Sequence, residues 1–445
     1  MSILTEQIVR GGSFHVMAKP TGPLCNLDCS YCFYLEKEKL YPGRQNWTMP
    51  DDVLETFIRQ YIESQPNDTV SFAWQGGEPT LLGIPWFENV LRLQREYADG
   101  KSIENALQTN GVTLDASWAE FFAANNFLVG ISIDGPAGLH DAYRLDKGQQ
   151  PTFDRVMRGV ENLKTANVRF NTLTVVNRTN SYEPLEVYRF LKETGSGFIQ
   201  FIPAVERRSR QPSPQGLTLL APEHIGTQAR VTGWSVEPEA YGDFLCAIFD
   251  EWVRNDVGKY FVQLFDVTLE LWLGLPPSLC VFAETCGNAL ALEHNGDLYS
   301  CDHFVYPENK LGNIMSDPIP SLALAKQQTA FGQAKRDSLP KYCQNCDVRF
   351  ACNGECPKHR FMTTPDGEPG LNYLCPAYKK FFHHVAPYME FMGRELLNRR
   401  PPTRVQEYAH WVDDWRKNWK KSVKGGDGCS CESSTENNKL SPVRN

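Results

Sequence analysis

An α/β fold built on a parallel sheet, followed by a cysteine-rich region, is what this sequence predicts. Six β-rich runs, at 14–19, 69–74, 103–108, 127–133, 168–176 and 198–202, alternate with five helical patterns, at 50–64, 85–97, 115–125, 152–166 and 182–194. Strand–helix units in series make a parallel sheet, because each crossover is right-handed and lays its helix on the sheet. Polar motifs stand just past the ends of the first four runs, where an α/β fold gathers its chemistry. The cysteines fall mainly into two groups, three at 25–32 and eight between 280 and 375.

Bulk properties set wide bounds. A chain of 445 residues allows two or three domains of roughly 150 residues each. An apolar fraction of 41% and a charged fraction of 22% are ordinary for a globular protein. The net charge of −8 offers no general basic face for phosphates, so no nucleic-acid partner is expected. Residues 1–10 carry no basic stretch followed by an apolar core. No run nears the roughly 18 apolar residues of a membrane span. A cytoplasmic protein with no membrane partner is expected. Disulfides are rare there, so fourteen cysteines point to metal or redox chemistry.

The first run leads into Cys25-Asn26-Leu27-Asp28-Cys29-Ser30-Tyr31-Cys32. A [4Fe–4S] cluster usually takes four thiolates. Three cysteines at C-x3-C-x2-C spacing suggest a cluster with one open iron, able to hold a small molecule as an open position on a catalytic zinc does. The expected occupant is S-adenosylmethionine, and the expected chemistry is radical. A structural zinc site is the alternative, but His15 and His140 are poorly placed in sequence to complete it. Tyr31, Phe33 and Tyr34 offer aromatic cover for a low-potential cluster.

Past the second run comes Gln75-Gly76-Gly77-Glu78-Pro79. Its glycines let backbone approach a ligand closely, and Glu78 can accept from an ammonium such as that of methionine. Alone, the motif is equally a turn. Gln108-Thr109-Asn110-Gly111 follows the third run. Ser132 and Asp134, at the fourth, offer a hydroxyl and a carboxylate to a ribose or an amino-acid end. Arg144 can make a two-pronged contact with a carboxylate, although singly it is as readily a surface residue. With Tyr31, Gly76, Gly77 and Val205 these complete the candidate cofactor contacts; Tyr34 and Gln75 are the candidate substrate contacts.

Residues 207–233 are rich in Pro, Ser, Gln and Arg and read as a long loop, a lid or a substrate-facing insertion. Residues 238–255 place Tyr241, Phe244, Leu245, Ile248, Phe249 and Trp252 on one helical face, with Cys246 in the core. Asn295-Gly296 is a hairpin turn signal that presents Cys301 from a short strand. Further helices are expected at 377–398 and 403–419. The Gly/Ser-rich tail beyond, with Cys429 and Cys431, is expected to be disordered. The chain divides into 1–240, a linker helix region at 241–279, a cysteine-rich unit at 280–376, helices at 377–420 and a tail at 421–445. The eight later cysteines, Cys280, Cys286, Cys301, Cys343, Cys346, Cys352, Cys356 and Cys375, suit two clusters of four. Two zinc sites are the alternative, opposed by the scarcity of nearby histidines.

The C-x3-C-x2-C motif followed by Phe-Tyr, with Gly-Gly-Glu-Pro after the next strand, resembles the radical S-adenosylmethionine superfamily over about residues 14–240. That resemblance implies a partial (βα)6 barrel. The second cysteine region resembles the SPASM extension of radical enzymes that modify peptides and proteins. It implies a first auxiliary cluster on Cys280, Cys286, Cys301 and Cys356, and a second on Cys343, Cys346, Cys352 and Cys375, hence three [4Fe–4S] clusters in all. The stretch from Glu293 to Phe304, with Cys32-Phe33-Tyr34-Leu35-Glu36-Lys37, is similar to the anaerobic sulfatase-maturating enzymes, to about residue 395.

This second resemblance implies oxidation of a Cys or Ser in a sulfatase motif Cys/Ser-x-Pro/Ala-x-Arg to Cα-formylglycine. A 5′-deoxyadenosyl radical takes hydrogen from Cβ, a base takes the side-chain proton, and an auxiliary cluster takes the remaining electron. A flavodoxin- or ferredoxin-type protein supplies the starting electron. Asp302, beside Cys301, is the candidate base, and His303 is read as packing or as a group behind the cluster ligands. The competing readings are a SPASM enzyme that crosslinks or epimerises a peptide, and a non-catalytic iron–sulfur carrier. The Cys301-Asp302-His303 stretch opposes the first. The Ser132, Asp134 and Arg144 constellation is unexplained by the second.

Overall fold

In the run Thr69–Trp74, Val70, Phe72 and Trp74 are buried while Thr69 and Ser71 are exposed, the period-two pattern of a strand with one face on a core. The computed structural model describes residues 14–44, 46–222 and 229–424. Its main sheet begins with six parallel strands: β1 (His15–Lys19), β2 (Thr69–Trp74), β3 (Ser102–Thr109), β4 (Leu128–Ser132), β5 (Phe170–Val176) and β6 (Phe198–Pro203), neighbours in chain order. Helices α1 (Asp51–Ser64), α2 (Ile84–Tyr97), α3 (Ala116–Ala124), α4 (Phe153–Thr165) and α5 (Pro184–Glu193) link them. This is the expected (βα)6 arrangement.

Local chemistry sets the helices. Val53, Leu54, Phe57, Ile58, Tyr61 and Ile62 of α1 are buried, the three-and-four spacing of an amphipathic helix. Asp115 caps α3 by accepting from the Trp118 N–H at 3.0 Å.

The sheet does not stop at six strands. After α6 (Pro238–Asn255), a short strand β7 (Phe261–Val262) adds beside β6, and α7 (Gln263–Trp272) follows it. On the other side β8 (Ala289–Glu293) runs parallel to β1, in the register His15↔Ala289 to Lys19↔Glu293. Strands β9 (Asp297–Tyr299) and β10 (Lys310–Asn313) continue antiparallel to the edge. The cysteine-rich region therefore shares the sheet of the first half, where sequence suggested a separate hairpin. Helices α8 (Lys326–Asp337), α9 (Cys375–Leu397) and α10 (Val405–Lys424) complete the larger elements.

The boundary placed at 240/241 falls inside α6. This helix buries Tyr241, Phe244, Leu245, Ile248, Phe249 and Trp252, and also Cys246, and packs on α5, α9 and α10. The loop at 207–233 holds a two-residue ribbon, Arg207–Arg208 with Arg230–Val231. It is tied back to the first half where Thr218 and Leu219 N–H groups donate to Glu36. Cys429 and Cys431, and the disorder expected around them, lie outside the described residues. No helix among the described residues is long and apolar enough to cross a membrane.

Candidate active site

The cysteine loop after β1 is braced from two directions. Its first brace is the Gly-Gly-Glu turn after β2. Gly77 and Glu78 N–H groups donate to the Gly22 and Leu24 carbonyls at 2.7 and 2.9 Å. The approach is close enough that a Cβ on Gly77 would stand 1.9 Å from the Leu24 oxygen, so only glycine fits.

Glu78 is held by the protein's own donors. Its carboxylate is fully buried and accepts from Thr80 N–H, Thr80 Oγ1, Thr109 Oγ1 and Asn110 N–H, at 3.1, 2.6, 2.7 and 2.7 Å. It is absent from the cavity lining, and its bonds run into the ends of β2 and β3. Its effect is indirect, because Asn110 Nδ2 in turn donates to Asn26 Oδ1 at 2.7 Å and lies 3.7 Å from Cys25 Sγ.

The second brace is the segment after β4. Asp28 and Ser30 N–H groups donate to the Leu145 and Tyr143 carbonyls at 2.9 and 3.0 Å. Tyr31 OH donates to Asp134 Oδ2 at 2.6 Å and accepts from Arg144 Nη1 at 2.8 Å. Asp134 is fully buried, and its other oxygen accepts from Val175 N–H at 3.0 Å. Both oxygens of Asp134 are thus engaged by the protein's own donors. Burial would lower the Arg144 pKa, but Tyr31, Cys29 and Asp134 hold it well above its ordinary value. Arg144 stays cationic, lines the cavity, and its Nε has no hydrogen-bond partner.

These braces frame a cavity of about 430 Å³ at the strand ends. It is lined by Cys25, Cys29 and Cys32, and by the expected Tyr31, Gly76, Gly77, Ser132, Arg144 and Val205. Ser132 Oγ accepts from Gln108 Nε2 at 3.0 Å, and a Cβ on Gly130 would meet Gln108 Oε1 at 2.1 Å. Gln75 and Tyr34 also line it.

Asp302 lines the same cavity, brought there by β8 and β9. Lys19 Nζ stands 2.5 Å from Asp302 Oδ1 and 4.1 Å from the Tyr34 ring centre. Tyr34 OH donates to the buried Glu293, the residue paired with Lys19 across β1 and β8. Burial would raise the Asp302 pKa, but the Lys19 ammonium above all holds it below the ordinary carboxylate range. Asp302 keeps about a fifth of its side-chain surface, which faces the cavity. His303 is edge-on to Phe33 with its Nδ1 3.8 Å from Cys356 Sγ, and burial lowers its pKa to about 3, leaving it neutral.

Sequence reasoning missed Lys19 and Glu293, and also Lys358, which lines the cavity, pairs with Glu206 and sits 4.3 Å over the Phe33 ring. A lysine closing an apolar strand beside the cysteine motif was the one available signal for Lys19.

All twelve described cysteines are free thiols. Burial raises Cys25 to about 11 and Cys29 and Cys301 to about 12. Such thiols release their protons only to a strong cationic partner, which iron supplies. The later thiols act on one another in two sets. Cys301 feels Cys280 and Cys286, and Cys356 feels Cys301 and Cys280. Cys352 feels Cys375 and Cys343, and Cys375 feels Cys343 and Cys346. Among the described residues no three Cys, His, Asp or Glu converge as around one ion.

Residues 20–191 match the Radical SAM superfamily, and residues 280–347 match SPASM, an iron-sulfur cluster-binding domain. Fold and site thus define a radical S-adenosylmethionine enzyme with a SPASM domain. The chain is 49% identical over 393 residues to a serine-type anaerobic sulfatase-maturating enzyme of Bacteroides thetaiotaomicron, covering 88% of this chain and 94% of that one. It is 32% identical over 375 residues to a cysteine-type anaerobic sulfatase-maturating enzyme of Clostridium perfringens, covering 84% and 96%. The solved structure of native anSMEcpe with bound AdoMet and Cp18Cys peptide superposes with TM-score 0.75 at 31% identity, covering 86% of this chain and all of that one. The chain belongs to the anaerobic sulfatase-maturating enzymes. Its cofactors are accordingly [4Fe–4S] clusters and S-adenosylmethionine.

Proposed function

We propose that this enzyme oxidises a Ser or Cys of a sulfatase segment Cys/Ser-x-Pro/Ala-x-Arg to Cα-formylglycine, with Asp302 taking the side-chain proton. One observation carries the reading: a single cavity is lined both by Cys25, Cys29 and Cys32 and by Asp302. The cluster on those three cysteines and S-adenosylmethionine, when bound, supply hydrogen-atom abstraction at the substrate Cβ. Gly76, Gly77, Ser132, Arg144 and Val205 wall the S-adenosylmethionine side. Tyr31, Glu78 and Asp134 hold that wall from behind. Gln75 and Tyr34 meet the substrate.

Asp302 is kept ionised by Lys19, so it can accept a proton at neutral pH. Cys301 is its neighbour in sequence and, with Cys280, Cys286 and Cys356, is assigned to the first auxiliary cluster. Cys343, Cys346, Cys352 and Cys375 are assigned to the second. Proton and electron then leave the substrate at adjacent residues, and loss of one hydrogen atom, one proton and one electron turns Ser into the aldehyde. Cys gives a thioaldehyde that water converts to the same product.

The higher identity to the serine-type relative supports serine as the preferred target. The reductant is assigned to the flavodoxin or ferredoxin class. The test is an anaerobic assay of the reconstituted enzyme with matched Ser and Cys peptides. The expected result is aldehyde from both, faster from Ser. S-adenosylmethionine cleavage with both peptides unchanged would sink the proposal.

A further inference from the structure

Helix α8 turns one face toward the loop that carries Cys280 and Cys286. Gln328, Gly332 and Lys335 are its buried residues, spaced by four and three along one side. Gln328 Nε2 donates to the Gly287 and Ser300 carbonyls at 2.6 and 3.1 Å. Gly332 lets the helix backbone touch the loop, since a Cβ there would meet the Cys286 oxygen at 2.2 Å. Lys335 then reaches in: its Nζ donates to the carbonyls of Cys280, Val281 and Ala283 at 2.6, 2.8 and 2.5 Å.

That ammonium is an unusual group to bury. Lys335 is 1% exposed, and among the described residues it forms no ion pair with a carboxylate. A buried cation is strongly disfavoured unless an opposite charge compensates it. Three carbonyls satisfy its protons without neutralising its charge, and Gln328 on the same helix face meets carbonyls with a neutral amide. Something anionic beside the 280–286 loop is needed to balance position 335.

We propose that Lys335 is the resident counter-charge of the cluster on Cys280, Cys286, Cys301 and Cys356, and that it raises that cluster's reduction potential so that it accepts the electron released by the substrate. The inference rests on the ligand assignment above. A thiolate-ligated cluster is anionic and becomes more so on gaining an electron. A fixed cation therefore favours the reduced form, net charge being one of the protein's levers on potential.

The experiment uses the full chain with Cys25, Cys29 and Cys32 changed to Ala, so that only the auxiliary clusters remain. Iron and sulfide are counted, and then potentials are read by an EPR-monitored redox titration. In Lys335→Gln, which keeps amide protons for the carbonyls but removes the charge, one of the two waves should move negative. The expected shift is at least tenfold in the one-electron equilibrium, or about 59 mV. Lys335→Arg should restore it. Two unmoved waves in Lys335→Gln overturn the inference. If Lys335→Gln loses iron, full loading of Lys335→Arg supports the charge, and equal loss from both overturns it. A parent chain without auxiliary clusters overturns the ligand assignment and the inference together, and is seen in the iron count before Lys335 is changed.

Discussion

Lys19 Nζ lies 2.5 Å from Asp302 Oδ1, joining the last residue of β1 to the residue after Cys301. The pair exists because β8 lies parallel to β1 and so brings the hairpin's outlet to the strand end. Its pH consequence has a definite sign. Asp302 titrates below its ordinary value in the folded protein, so the pair's stabilisation is present above the ordinary carboxylate range and is lost as pH falls through the folded value. Product formation should therefore show no acid limb from Asp302 near neutrality. In Lys19→Met, burial loses its main opponent, the carboxyl rises, and an acid limb should enter the measured range. Breaking a buried pair costs about 3–5 kcal/mol, and the cavity-facing surface of Asp302 puts this one at the lower end. A Lys19→Met profile that overlays the parent would refute the role given to Lys19.

Asp302→Asn keeps size and polarity but cannot take a proton. It should retain S-adenosylmethionine cleavage and lose formylglycine by about two to four orders of magnitude, the usual worth of a positioned base. Quantifying 5′-deoxyadenosine and aldehyde in one anaerobic reaction separates the two effects. Aldehyde at the parent rate removes Asp302 from the mechanism.

At Gly77, alanine would place a methyl 1.9 Å from the Leu24 oxygen. Either the turn after β2 or the loop entering Cys25 must move. We expect Gly77→Ala to lose one cluster's iron, together with S-adenosylmethionine cleavage, while the later cysteines keep theirs. Full iron content in that variant would show that the loop adapts.

Much of this was legible in the sequence because its causes are local. Alternation in Thr69–Trp74 and the Asp115 cap fix elements within a residue or two of where they fall. The pairing of His15–Lys19 with Ala289–Glu293 was not legible. Two distant segments pair through backbone groups that every residue carries, so the side chains hold no record of the partner. Lys19 was missed for that reason. Glu78 and Asp134 were found, but not their bonds to the protein's own N–H and O–H groups, because a carboxylate in a strand-end motif reads alike whether it meets a ligand or such donors.

Glu78 offers the sharpest test of that ambiguity. All four of its contacts are donors, so a carboxylate satisfies them and an amide cannot. In Glu78→Gln the new NH2 must face either the Asn110 N–H or the hydroxyls of Thr80 and Thr109, leaving a buried donor unpaired at a cost of about 1–3 kcal/mol. Asn110 would slacken, and with it the 2.7 Å bond to Asn26 beside Cys25. A group that braces the loop predicts a lower melting temperature and lower iron at Cys25, Cys29 and Cys32, with S-adenosylmethionine binding per loaded cluster unchanged. A group that grips the methionine ammonium predicts the opposite: normal melting, full iron and weakened binding. Melting curves, iron counts and equilibrium binding on one preparation decide between them, and the four donors around Glu78 place the expectation on the first outcome.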